Sequence, residues 1–218
     1  MKKIAIILTT YCGDPDSEKK EHMTKTLCRE LRKTPYYVCV ASHSPLDKEL
    51  QTLSNGFVYD DDNSFQIDGK PTHGLTHGLA EMKSVHNALN YLTRFKFTHM
   101  FKIAYDCVPN IDYTDLIQKC SDIVDHQDKS LVTAKWGRDD SLSSMMFYSN
   151  IEFYRKTCSI ETPEIWHDLF ESQWYNNIRN MNLLDKTHSC AGYDNFLGYN
   201  IVQYSHHGGA FTHEYNFK

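Results

Sequence analysis

The sequence predicts an α/β protein whose mostly parallel β-sheet is flanked by helices. Short apolar stretches rich in β-branched residues alternate with longer stretches that carry one apolar stripe at helical spacing. This alternation is typical of βαβ units, in which right-handed crossovers join parallel strands. The 218 residues show no internal repeat and no linker, so a single domain over residues 1–218 is the simplest organisation.

The strand predictions rest on short apolar runs. Residues 4–8 are apolar and β-branched, as in a buried parallel strand. A secretory signal is the rival interpretation of this start, but an apolar run of about five residues is too short for one. The other strands are predicted at 36–41, 56–59, 99–106, 131–136 and 144–148.

The helix predictions rest on apolar stripes. Met23, Leu27 and Leu31 recur at four-residue spacing and predict a helix over 17–33. The other helices are predicted at 76–95, 113–125 and 163–181, the last with Pro163 near its first turn. Residues 10–17 are predicted to form a loop, and residues 63–76 a longer polar loop.

Composition excludes several classes of function. A net charge of −5 provides no basic field for nucleic acid, and the 23 Lys and Arg residues form no membrane-binding patch. No apolar run is long enough to span a bilayer, so no transmembrane segment is expected. Seven cysteines without a Cys-x-x-Cys pair indicate reduced thiols, and we expect a cytoplasmic location.

The most informative stretch is 99–110, where an apolar run ends on Asp106 and is followed by Pro109 and Asn110. α/β enzymes place their chemistry at the carboxyl ends of buried strands, and this pattern delivers a carboxylate there. The structural alternative is that Asp106 caps the following turn through its side chain.

Other phosphate-binding and nucleophile motifs are absent. The first strand is followed by Thr9-Thr10-Tyr11-Cys12-Gly13, not by Gly-x-Gly-x-x-Gly, and the chain has no Gly-x-x-x-x-Gly-Lys-Ser/Thr loop. It also has no Gly-x-Ser-x-Gly elbow and no zinc-deaminase signature. A dinucleotide dehydrogenase and a P-loop enzyme are therefore disfavoured.

The stretch around Asp106 resembles the metal-binding strand of GT-A glycosyltransferases, which reads lysine–apolar–Asp-x-Asp–apolar. Lys102 and Asp106 match this pattern, whereas Ala104 replaces the first aspartate. Two later segments add to the resemblance. Residues 193–198 are similar to the loop that carries the catalytic base in inverting members, and residues 203–208 to the segment whose histidine completes the metal shell.

The resemblance implies a Rossmann-like GT-A domain that transfers a sugar from a UDP- or GDP-sugar donor to a glycan or glycoprotein acceptor. It implies Mn²⁺ or Mg²⁺ held by Asp106, His206, His207 and the donor phosphates. Asp194 is implied as the base that takes the acceptor proton, which favours inversion. The structural alternative for Asp194 is an N-cap of the short segment 195–199.

The implied donor site lies at the ends of the first strands. The donor contacts that we expect are Thr9, Thr10, Tyr11, Asp60, Lys83 and Tyr105. Asp60 and Asp62 also satisfy Asp-x-Asp and form a rival metal site, and solvated loop charge is a further interpretation. We expect the loop at 63–76 to order when donor binds, because loops of this length are often functional.

Two other functions stay open. The incomplete Asp-x-Asp motif favours a non-catalytic GT-A-like protein that binds a nucleotide sugar or a glycan. A nucleotidyltransferase on a related sheet is disfavoured, because no glycine-rich loop bearing Lys or Arg follows the first strand.

Overall fold

A computed structural model describes residues 2–10, 17–43, 45–59, 66–67, 70–71, 76–107, 111–135, 139–158, 170–192 and 195–201. Across these ranges, a seven-stranded sheet lies between two layers of helices. No helix within them is long and apolar enough to cross a membrane.

The strands and helices follow the predicted alternation. The strands are β1 Ile4–Thr10, β2 Tyr37–Ser42, β3 Gly56–Tyr59, β4 Gln66–Ile67, β5 Lys70–Pro71, β6 His99–Ala104, β7 Leu131–Ala134, β8 Met146–Asn150 and β9 Thr187–Cys190. The α-helices are α1 Ser17–Leu31, α2 Lys48–Leu53, α3 Thr76–Leu92, α4 Tyr113–His126, α5 Ile151–Thr157 and α6 Phe170–Asn180. Short 3₁₀ turns cover Thr93–Phe95 and Leu184–Lys186.

Local sequence signals explain where several helices begin and end. Asp47, Asp112 and Asn150 are N-caps, and the side chain of each accepts backbone N–H groups from the first turn of its helix. Helix α1 ends at Leu31, two residues before the predicted end, because Pro35 disfavours helical backbone in the residue that precedes it.

The main sheet has the order β3-β2-β1-β6-β8-β7-β9. The β1–β2, β2–β3, β1–β6 and β7–β9 pairs are parallel, whereas β8 is antiparallel to both β6 and β7. The prediction of a mostly parallel sheet flanked by helices is therefore confirmed. The remaining strands, β4 and β5, form a separate antiparallel pair.

Alternation along the strands separates two apolar cores. In β6, Phe101 and Ile103 face the core that contains apolar residues of α1, α2 and α4. Met100 faces the other core, which contains residues of α3, α5 and α6. Lys102 points to the same side as Met100 and is also fully buried. A cation therefore lies within a largely apolar layer.

The structure corrects several predicted boundaries. Strand β6 ends at Ala104, two residues before Asp106, and β4 and β5 lie within the predicted polar loop. Helices α2 and α5 were not predicted, because six and seven residues are too few to show an apolar stripe. Strand β9 lacks an apolar run because its side chains, at the sheet edge, stay partly exposed. Residues 163–169 of the predicted last helix lie outside the described ranges.

Candidate active site

The candidate site lies where the carboxyl ends of the parallel strands meet. Thr10 pairs with Ser42, and Ser42 with Tyr59, at the ends of β1, β2 and β3. On the other side of β1, Thr9 pairs with Ala104 at the end of β6. The chain runs outward from β1 to β2 and β3, then returns to β6, so the strand order reverses between β1 and β6. Open α/β sheets bind their ligands at such a reversal.

Asp106 follows β6 in a tight turn. The Cys107 N–H donates to the Ala104 carbonyl at 3.2 Å, which makes Tyr105 and Asp106 the two central residues of the turn. The Ala104 N–H donates to the Met145 carbonyl at 2.8 Å, and the Tyr105 N–H donates to the Thr9 carbonyl at 3.0 Å. Asp106 is half-buried at this edge. The turn is thus attached to the segment before β8 on one side and to β1 on the other.

A buried ion pair lies behind this turn. Lys102 is fully buried and pairs with Glu81 of α3, whose side chain is 24% exposed. The Lys102 ammonium also donates to the Ser144 carbonyl at 2.5 Å and to the Met145 carbonyl at 3.3 Å. The Thr9 hydroxyl donates to Glu81 Oε1 at 3.2 Å. The Lys102 ammonium therefore has three acceptors, one from α3 and two from the segment before β8.

A second carboxyl group joins this network. Ser144 Oγ lies 3.0 Å from Glu81 Oε2 and 3.0 Å from Glu171 Oε1. Burial, with a further contribution from the Glu81 carboxylate, raises the pKa of Glu171 above the usual glutamate value. The Ser144 hydroxyl has one proton for two acceptors, so it donates to only one of the two carboxyl groups at a time.

The structure places the predicted donor contacts in different environments. Thr9 and Thr10 are buried, and Thr10 Oγ1 lies 2.8 Å from Thr24 Oγ1 of α1. Tyr105 is half-buried against the core on the α1 and α4 side, and Lys83 is half-buried on α3. Tyr11 and Asp60 lie outside the described ranges, as does Asp62 of the rival metal site. The role of these residues as donor contacts stays a prediction.

The predicted base and the predicted histidine ligands also lie beyond the described ranges. These are Asp194, His206 and His207. Within those ranges, no three His, Cys, Asp or Glu side chains come together as a metal site. Asp106 alone still fits a Mg²⁺-type site, because such ions often take one or two protein carboxylates and complete their shell with substrate phosphates and water.

The segment after Asp194 is a tight turn and not a helix. Phe196 and Tyr199 exchange backbone hydrogen bonds of 2.8 and 3.0 Å, and Leu197 and Gly198 between them have φ values of 54° and 89°. Two successive positive φ values are typical of a type I′ turn. The alternative in which Asp194 caps a helix over residues 195–199 is therefore wrong.

Sequence reasoning missed Glu81 and Glu171, the two carboxyl groups of the Lys102 network. Glu81 shares a helical stripe with the buried residues Val85, Ala88 and Leu92, so it is an acid on an apolar stripe. Lys102 is a cation inside an apolar strand. These two irregularities together could have identified the ion pair. Ser144 and Glu171 carry no comparable local signal.

The described cysteines are free thiols, and none of them has the environment of a nucleophile. Cys107 is next to Asp106 in sequence, but burial raises its thiol pKa well above the usual value, and the Asp106 charge adds to this effect. A buried neutral thiol is a poor nucleophile, so Cys107 is part of the core beneath the turn.

No protein-family model and no curated protein matches the sequence. A solved cytidylyltransferase from Leptospira borgpetersenii serovar Hardjo-bovis matches with a TM-score of 0.56 and 12% identity, over 94% of this chain and 82% of the other. A glycosyltransferase involved in the glycosylation of the major capsid of PBCV-1 matches with a TM-score of 0.50 and 10% identity, over 88% and 82% of the two chains.

A third solved structure is similar over a slightly shorter range. The galactosyltransferase LgtC, in complex with donor and acceptor sugar analogs, matches with a TM-score of 0.50 and 10% identity, over 85% of this chain and 73% of the other. Together these likenesses show that the chain has a GT-A-like fold, as the sequence predicted. At such low sequence identity, these likenesses show a shared fold and do not show a shared activity.

Proposed function

We propose that this GT-A-like chain is a glycosyltransferase that moves a sugar from a nucleotide-diphosphate donor to a hydroxyl acceptor. The observation that carries the proposal is the position of Asp106, in a turn at the carboxyl edge where the strand order reverses between β1 and β6. A carboxylate at this point is suited to a cation that binds a leaving diphosphate.

The proposed cation is Mn²⁺ or Mg²⁺, and when bound it would neutralise the charge that develops on the leaving diphosphate. Asp106 would hold it, with His206 or His207 as a further protein ligand. Ala104 provides no ligand where the family pattern has an aspartate. The protein would then contribute few ligands, so we expect tight cation binding only when the donor phosphates are present.

The remaining side chains have proposed roles on either side of the reacting sugar. The nucleotide would lie over the ends of β1 and β3, near Tyr11 and Asp60. Thr9 and Thr10 would form the floor of the donor site, because their hydroxyls already bond within the protein. Asp194 would take the acceptor proton, a role that favours inversion of the anomeric centre.

The test is a set of nucleotide sugars incubated with the protein and Mn²⁺ or Mg²⁺, with and without candidate glycan acceptors. Release of free nucleoside diphosphate is the expected result. Binding without release would support the non-catalytic alternative. Inactivity and absence of binding with every nucleotide sugar would contradict both.

A nucleotidyltransferase is the second candidate, because the cytidylyltransferase has a higher TM-score than the two glycosyltransferases. That activity would release pyrophosphate from a nucleoside triphosphate and not a nucleoside diphosphate from a nucleotide sugar. Assaying pyrophosphate release from CTP and UTP, with sugar phosphates and other phosphorylated alcohols as acceptors, separates the two candidates.

A further inference from the structure

Lys102 is costly to bury. It is one of the largest side chains with no exposed surface, and it lies in β6, which pairs with neighbours on both sides. A lysine in this position needs a charge partner and several hydrogen-bond acceptors to offset the lost hydration. Glu81 and the Ser144 and Met145 carbonyls provide them.

The acceptors are the groups that hold the Asp106 turn. The Met145 carbonyl receives both the Lys102 ammonium and the Ala104 N–H, so the cation and the first turn residue share one acceptor. This arrangement fixes the strand end against the segment that leads into β8.

The other side of the turn is connected to the same cation. The Tyr105 N–H donates to the Thr9 carbonyl, and the Thr9 hydroxyl donates to Glu81, the charge partner of Lys102. Both backbone hydrogen bonds that flank the turn therefore end on residues that belong to the Lys102 network.

We infer that Lys102 is a positioning residue for the proposed transfer, because its ammonium holds the β1, β6 and pre-β8 segments in the register that sets the Asp106 carboxylate. This role rests on the proposed function. Lys102 is too deeply buried to touch the donor itself and acts only through the backbone of the turn.

A stability role alone is the competing explanation, and it makes a different prediction. A buried ion pair is weak support for stability, and its replacement by apolar residues of similar volume is often neutral or stabilising. The double variant Glu81→Leu/Lys102→Met removes both charges and keeps the volume. It therefore tests positioning in a protein that still folds.

The experiment compares wild type, Lys102→Met and the double variant in urea unfolding and in steady-state turnover of the nucleotide sugar found to be a donor. We expect kcat per folded molecule to fall about 100-fold in both variants, as small displacements of catalytic groups do. KM for the donor and the Mn²⁺ concentration needed for half-maximal turnover should rise as well, because Asp106 is the proposed ligand of the cation that binds the donor diphosphate. Lys102→Met should also lose stability, because it leaves the Glu81 charge unpaired. The double variant should recover part of that loss, since the Thr9 hydroxyl still loses its Glu81 acceptor.

Lys2→Met is the matched control. Lys2 is also a partly buried lysine with an ion pair, at 2.6 Å to Asp125, and two 3.0 Å hydrogen bonds to Ser121. It precedes β1 at the opposite edge of the sheet. Its loss should change stability and leave kcat per folded molecule at the wild-type value.

The outcomes separate the two proposals. A double variant with wild-type kcat, alongside an active wild type, would overturn the positioning role and leave the proposed function standing. A wild-type protein that turns over no nucleotide sugar would overturn the proposed function and the positioning role with it. An equal fall of kcat in Lys2→Met would show a general loss of order and would also contradict the positioning role.

Discussion

At the scale of single residues, Asp106 lies at the edge of the candidate site, and buried backbone hydrogen bonds hold the residues before it. Asp106 reaches the site edge from a two-residue turn, while the Ala104 N–H donates to Met145 before β8 and the Tyr105 N–H donates to Thr9 of β1. The missing first aspartate of the family pattern makes Asp106 the carboxylate on which the proposed cation site depends.

Asp106→Ala should abolish Mn²⁺-dependent nucleotide diphosphate binding, because it removes the one described carboxylate placed to hold the cation. The unfolding free energy should change by less than about 1 kcal/mol, since the side chain is only half-buried. Calorimetric titration with and without Mn²⁺ measures the first effect and urea unfolding the second.

Asp122→Ala is the control, since Asp122 is an exposed helix aspartate on α4 that accepts from Gln118. It should leave nucleotide binding unchanged. Retention of full Mn²⁺-dependent binding by Asp106→Ala would transfer the metal assignment to Asp60 and Asp62.

Asp194→Asn should lower transfer by at least about 100-fold, the usual cost of losing a general base. Donor affinity should barely change, because the proposed base acts on the acceptor side. Turnover with saturating acceptor gives the first quantity, and titration with nucleotide gives the second. Turnover at the wild-type rate would move the search to Asp139, an exposed aspartate paired with Lys135 at 2.7 Å, and to Asp140.

At the scale of elements, β3 shows how closely the edge of the sheet is packed. Gly56 begins β3, and a Cβ placed there would lie 2.6 Å from Tyr37 Oη and 2.7 Å from the Tyr91 ring. Those rings are held in place, because the Tyr37 hydroxyl donates to the Asn55 carbonyl at 2.8 Å and lies 3.2 Å from Tyr91 Oη. Glycine is therefore favoured at this position because a side chain would meet both tyrosines.

Gly56→Ala should lower the unfolding free energy by about 1–3 kcal/mol, the usual cost of overpacking. Gly192→Ala is the matched control, because nothing lies within 4 Å of its added Cβ. That variant should be unchanged or up to about 1 kcal/mol more stable, through lower entropy of the unfolded chain. Urea unfolding compares them, and equal effects at the two glycines would contradict this account of β3.

At the scale of the whole molecule, the two helix layers differ in what they bury. The α1, α2 and α4 side is an apolar core, whereas the α3, α5 and α6 side holds an apolar core together with the Lys102 network. Glu171 of α6 lies at the far side of this network, and its raised pKa couples protonation to global stability.

The sign of this coupling follows from the direction of the pKa shift. Glu171 binds its proton more tightly when folded, so its contribution to stability is full below the unfolded glutamate pKa of about 4.3 and is lost as pH rises through the folded value. Glu171→Gln should remove this loss. The stability of Glu171→Gln relative to wild type should therefore rise with pH from about 4.3 upward.

Urea unfolding of both proteins at a series of pH values checks this prediction. Glu152→Gln, at an exposed position of α5, controls for removal of a carboxyl group from the surface. A stability difference between Glu171→Gln and wild type that stays constant across the pH series would show that folding does not raise the pKa of Glu171.

Local patterns determined most of the secondary structure. The strands β1, β2, β3, β6 and β7 and the helices α1, α3 and α4 were predicted near their observed positions, because apolar periodicity is a property of neighbouring residues. Short or edge elements such as α2, α5 and β9 were not, since they bury too few side chains to leave a pattern.

The sequence by itself determined an α/β chain with a parallel sheet, a GT-A resemblance and a carboxylate after a buried strand. Only the tertiary structure decided that β8 runs antiparallel to β6, that the segment after Asp194 is a turn, and that Lys102 is bound by Glu81. Lys102, Ser144 and Glu171 are far apart in the chain, and local periodicity carries no information about which distant residues meet. Their association is set by how α3, α6 and the sheet pack together. A buried charge is stable only where this packing brings an opposite charge and hydrogen-bond partners to it.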